Sequence, residues 1–133
     1  MRFRMFSAVE ATAHCDLPCG VYDPAQARIE AESIKGIQEK YQSNEDPVFH
    51  TRAIMIKEQR AELVKHHLWV LWTDYFKPPH FEKYPQLHEL FNKATKQAGA
   101  SGAKSSMDPA EGQKLLDLIA EIDKIFWETK KAA

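Results

Sequence analysis

Cysteine, net charge and long apolar runs are all scarce in this chain, and each scarcity removes a class of protein. The two cysteines among 133 residues, Cys15 and Cys19, allow one internal disulfide at most, and so small a loop would gain little chain entropy from closure. Eighteen basic residues oppose nineteen acidic ones, a formal net charge of −1. The broad basic field of a nucleic-acid binder is missing, which argues against a DNA or RNA partner. No stretch approaches the roughly 18 to 20 apolar residues needed to cross a bilayer. Even Leu63 to Phe76 is broken by Lys65, His66, His67, Thr73 and Asp74, so a membrane partner is not expected and the protein should be soluble. The hydrophobic content of 44% is ordinary for a globular chain, and the length suits one domain with a modest core.

What is present is punctuation. Three Asp-Pro pairs, Asp23-Pro24, Asp46-Pro47 and Asp108-Pro109, each join an N-cap acceptor to a residue with no N–H to lose and a φ suited to a helix. Each marks a helix start. The first helix is expected from Pro24 to about Tyr41, with Ala27, Ala31, Ile34, Ile37 or Gln38, and Tyr41 inward. The second should run from Pro47 to about Phe76, with Ile56, Leu63, Val64, His67, Leu68, Leu71, Trp72 and Tyr75 on its apolar face, ended by Pro78-Pro79. A third, Pro85 to about Gln97, uses Leu87, Leu90, Phe91 and Ala94. After a Gly, Ser and Ala loop from Ala98 to Ser106, the last helix spans Pro109 to about Lys130, with Leu115, Leu118 or Ile119, Ile122 and Ile125 or Phe126 in a narrow stripe. Strand-like alternation is absent. The expected fold is all-α, an antiparallel up-down four-helix bundle.

Ahead of that bundle lies His14-Cys15-Asp16-Leu17-Pro18-Cys19-Gly20-Val21-Tyr22-Asp23-Pro24. It holds both cysteines, an adjacent histidine and a turn shaped by Pro18 and Gly20. Thiolate and imidazole bind borderline first-row metals well. On spacing alone, a metal site, a small disulfide and two unrelated thiols all remain open. A thioredoxin-like redox motif fits less well, because the two-residue cysteine spacing and the βαβ pattern are absent. Residues 1–13 imitate a signal peptide through Arg2, Arg4 and Ala11-Thr12-Ala13, but Met5 to Val9 is too short an apolar region. A leader trimmed after Ala13 is the alternative, leaving 14–133 as a single domain: a hook at 14–24 and a bundle at 24–133.

The hook run closely resembles that of the nickel-containing superoxide dismutase family. Asp74-Tyr75-Phe76-Lys77-Pro78-Pro79-His80-Phe81-Glu82-Lys83-Tyr84-Pro85 and Ile122-Asp123-Lys124-Ile125-Phe126-Trp127-Glu128-Thr129-Lys130 resemble it as well. The resemblance implies that one nickel ion per subunit is bound by His14, Cys15 and Cys19. The α-amine and imidazole of His14, the backbone amide of Cys15 and the two thiolates would be the donors. It implies dismutation of superoxide to dioxygen and hydrogen peroxide by Ni(II)/Ni(III) cycling, which redox-inert zinc could not support. An α-amine of pKa about 7.7 to 8.0 becomes a neutral donor cheaply near neutral pH, but only once the leader is removed, so a leader-processing protease is an expected partner.

The same resemblance places Glu30 and Arg60 behind the histidine imidazole and Asp16, Tyr22 and Tyr75 along the access to the metal, with a cis bond before Pro18. Lys77 and Arg60 are the expected cations near the site. It also implies a homohexamer, and reduced thiols with no signal region imply a cytoplasmic protein. The competing reading is a nickel or copper binding or storage module without turnover. On the residues alone, Glu30 and Arg60 could equally form a surface ion pair, and Tyr22 and Tyr75 could be core tyrosines. His66 and His67 are consecutive and diverge on a helix, so they are not read as a metal pair. Trp69, Trp72 and Trp127 are expected in the core or at subunit contacts, where Phe49 and Phe81 could join them as exposed aromatics.

Overall fold

The computed structural model describes Leu17 and residues 19–133. Four long helices form the bundle: α1 (Ala25–Gln42), α2 (Pro47–Val70), α4 (Leu87–Ala98) and α5 (Pro109–Ala132), with a short α3 (Pro78–Lys83) between the second and third. Packing runs α1 against α2, α2 against α4, α4 against α5 and α5 back onto α1, a closed up-down ring.

All three Asp-Pro pairs start helices as expected. Asp23, Asp46 and Asp108 each accept a bond from the backbone N–H two residues on, at 2.8, 3.0 and 2.9 Å. The core is built from small residues on α1 and larger ones opposite. Ala27, Ala31 and Ile34 meet Ala61, Val64, Leu68, Leu87, Phe91, Leu115, Ile119, Ile122 and Phe126, all buried. Alanine on α1 lets neighbouring helices approach closely, while the leucine, isoleucine and phenylalanine side chains fill the space between them.

The second helix departs from expectation. Its α-helical part ends at Val70, and Leu71–Tyr75 forms a π turn, closed by the Phe76 N–H donating to the Leu71 carbonyl at 3.0 Å. A wider turn rotates fewer degrees per residue, so positions beyond Leu71 leave the α-helical face. Trp72, expected inward, is exposed, and Phe76 is buried instead. Ile56, also expected inward, is exposed as well. Pro78-Pro79 does not merely stop a helix; it opens α3, because proline is at home in a first turn. Of the aromatics expected at the surface, Phe49 and Phe81 are half-buried, and Phe81 packs on the core.

The α4–α5 connection is tied down from two other helices. Lys57, 2% exposed, donates to the carbonyls of Lys104 (2.6 Å) and Ser106 (2.8 Å). Gln38 also donates to Ser106 O, and Gln42 to Met107 O. In the same loop, a Cβ on Gly102 would lie 2.2 Å from the Gln97 carbonyl oxygen, so only glycine fits. No described helix is long and apolar enough to cross a membrane.

Candidate metal centre

Up-down alternation brings four chain segments to one end of the bundle: the approach to α1, the π turn after α2, α3, and the last turn of α5. Cys19 lies on that approach and is exposed. Its N–H donates to Leu17 O at 2.7 Å, and its Sγ accepts the Val21 N–H at 3.4 Å. Between them Gly20 takes φ +70°, a left-handed conformation that glycine adopts without the Cβ penalty. The turn therefore aims a backbone N–H at the sulfur.

Beyond the turn, Tyr22 and Tyr75 meet with ring centroids 5.7 Å apart. Tyr75 is wedged between Phe126 (4.4 Å) and Phe76 (5.0 Å), with His80 stacked nearly parallel at 5.7 Å. Its hydroxyl lies 2.7 Å from Thr129 Oγ1. Gly20, Tyr22, Tyr75, Lys77, Thr129 and Lys130 are among the residues lining a cavity of about 330 Å³, large enough for a diatomic anion and several waters. Lys130 Nζ reaches toward the Gly20 carbonyl at 3.5 Å and lies 5.2 Å from the Tyr75 ring centre, close enough for a cation–π contact. The His80 pKa is lowered, first by burial and then by the positive charge of Lys77. A neutral imidazole fits its contact, since His80 Nδ1 accepts the Lys77 N–H at 3.0 Å.

Glu30 and Arg60 do meet: Arg60 Nη1 bonds both carboxylate oxygens, at 3.0 and 3.3 Å, across α1 and α2. The Glu30 side chain is 17% exposed and that of Arg60 is 36%, yet Arg60 Nε is buried with no hydrogen-bond partner among the described residues. The pair thus leaves one guanidinium donor uncommitted. Arg60 also borders a groove with Ser33, Gly36, Ile37, Lys40 and Ile56, while Lys77, the other expected cation, borders the tyrosine cavity together with Lys130. His14, Cys15 and Asp16 lie outside the described residues, as does the bond preceding Pro18. Among the described residues no group of three histidine, cysteine or acidic side chains could hold a metal ion.

Thr129 and Lys130 close the Ile122–Lys130 run that carries the resemblance, but the sequence assigned them no role at the site. The signal that could have found them is parity: in an up-down bundle whose hook precedes the first helix, the end of the fourth helix returns to the hook.

A model of the nickel-containing superoxide dismutase family matches residues 9–130. The chain is 69% identical to the "Superoxide dismutase [Ni]" of Streptomyces coelicolor over 133 residues, covering 99% of this chain and 100% of that one. The corresponding protein of Streptomyces seoulensis gives the same identity and coverage. Among solved structures, the fold is similar to native nickel superoxide dismutase, with a TM-score of 0.85 and 73% identity over 89% of this chain and 99% of that one. It is also similar to the apo form, with a TM-score of 0.81 and 71% identity over 84% and 99%.

Proposed function

The chain belongs to the nickel-containing superoxide dismutase family, and we propose that its active centre is the hook of His14, Cys15 and Cys19 at the cavity of Tyr22 and Tyr75. The protein is a nickel-dependent superoxide dismutase: two superoxide ions and two protons become dioxygen and hydrogen peroxide. The donor set suits the metal, since thiolates and imidazole bind nickel well. The observation that carries the site assignment is the Cys19 sulfur, receiving a backbone N–H on a glycine-shaped turn whose Gly20 borders the cavity. Nickel bound by these residues would supply the one-electron couple that dismutation needs.

This chain's own residues then bind, orient and exclude. Lys77 and Lys130 draw the anion toward the cavity. Tyr22 and Tyr75 narrow it, and the resemblance assigns Asp16 to the same access. Glu30 holds Arg60, whose uncommitted Nε is the donor we assign to fixing the His14 imidazole, the usual way an outer hydrogen bond orients a ligand ring. The mature chain starts at His14 after a protease removes residues 1–13. Near-complete coverage of the native structure by 89% of this chain supports such a shortened form. The enzyme works in the cytoplasm as a homohexamer. Trp69, Trp72 and Trp127, 47%, 41% and 44% exposed, support self-association through aromatic surface.

The test is a single preparation from nickel-supplied cells, measured for intact mass, metal content and dismutation rate. A chain beginning at His14, about one nickel per subunit as thiolate–imidazole coordination requires, and rapid dismutation are expected. Nickel on a trimmed but inactive chain would favour the storage module instead.

A further inference from the structure

Tyr75 faces a bookkeeping constraint that fixes where its hydroxyl proton points. Thr129 Oγ1 lies 2.6 Å from the Phe126 carbonyl oxygen and 2.7 Å from the Tyr75 hydroxyl. A threonine hydroxyl has one proton and two lone pairs, and a carbonyl oxygen can only accept. With its proton on Phe126 O, Thr129 can only accept from Tyr75. Thr129 is 6% exposed, so water competes poorly for either bond.

We infer that Thr129 is a positioning residue that locks the Tyr75 hydroxyl as a donor into the protein wall, so that Tyr75 offers the cavity only acceptor lone pairs. The inference rests on the reading that this cavity is where superoxide reacts. Its consequence is that Tyr75 orients protonated species, such as water or hydrogen peroxide, and is not the acid that delivers the product's protons. The packing is consistent: rings of Phe76, Phe126 and His80 surround Tyr75 and hold its hydroxyl oxygen beside Thr129.

Neutron diffraction from deuterium-exchanged crystals of the nickel-loaded protein reads the proton directly. A deuteron on Tyr75 Oη directed at Thr129 Oγ1 is expected. A deuteron on Thr129 directed at Tyr75 would overturn the inference. Thr129→Val keeps the shape but removes the acceptor, and Thr129→Ser restores it. Loss of one hydrogen bond of ordinary strength predicts a roughly fivefold change in turnover for Thr129→Val, with an altered pH profile, and Thr129→Ser should match the wild type in both. A Thr129→Val enzyme with an unchanged pH profile would also overturn the positioning role. An inactive wild-type protein with the deuteron as expected would instead sink the dismutation reading and leave the proton's direction standing.

Discussion

The two ends of the bundle are built on different terms. At the far end the α4–α5 loop is held by a buried ammonium on two carbonyls and by two glutamine side chains, and α2 and α5 start there with capped first turns. At the hook end the chain approaching α1 is mostly exposed, and Lys130 reaches Gly20 only at 3.5 Å. There the order lies in the wall behind it, a packed set of aromatic rings around Tyr75. Rigidity at one end keeps the helices in register, so that residues distant in sequence can form a cavity at the other. Stability and chemistry should therefore separate under mutation.

The largest expected effect comes from keeping the leader. If cleavage after Ala13 is blocked, the His14 nitrogen stays an amide and loses its role as a neutral amine donor. Nickel-dependent dismutation should vanish while circular dichroism shows the full helical bundle, and an active uncut chain would sink the amine-ligand proposal. Next is Glu30→Gln. Loss of an outer partner of a metal ligand typically costs 10 to 100-fold in activity or affinity, whereas a partly exposed ion pair contributes about 1 kcal/mol or less to stability. A rate loss of that order with an unchanged urea midpoint is expected.

Lys57→Met sharpens the contrast from the opposite end. It strips the Lys104 carbonyl of this donor and leaves Ser106 O to Gln38 alone, and an unmet buried acceptor costs about 1–3 kcal/mol. The urea midpoint should fall accordingly, while turnover per folded subunit stays near wild type. Burial lowers the Lys57 pKa, with Glu58 partly opposing.

The smallest effect concerns acid. The folded-state pKa of His80 is lowered, by burial and then by Lys77. Its contribution to stability is therefore complete above the unfolded value of about 6.5 and is lost as pH falls through the folded value. Protonation also removes the acceptor for the Lys77 N–H. A modest loss of stability below about pH 6.5, absent in His80→Gln, is expected from denaturation curves across pH.

The capped helix starts and the inward faces of α1, α4 and α5 were legible because Asp-Pro chemistry and helical spacing are local. The π turn was not: Leu68, Leu71, Trp72 and Tyr75 continue a good α-helical pattern, and only the bond from Phe76 to Leu71 reveals the wider turn. Pro78-Pro79 reads equally as an end or a beginning. Lys57 reads as solvent-facing until two carbonyls from a loop nearly fifty residues away arrive to hold it. At the site, the resemblance singled out Tyr22, Tyr75, Glu30 and Arg60, and in the fold Tyr22 meets Tyr75 while Glu30 pairs with Arg60. Thr129 and Lys130 enter through tertiary contacts, which no local pattern encodes.

The most direct test of the separation is Cys19→Ser, assayed for nickel-dependent dismutation and urea midpoint on the same sample. Exposed and outside every helix, the Cys19 side chain should matter to the first reading alone: dismutation is abolished and the midpoint stays at the wild-type value. Persistent activity, or a midpoint that falls together with the activity, would contradict the account.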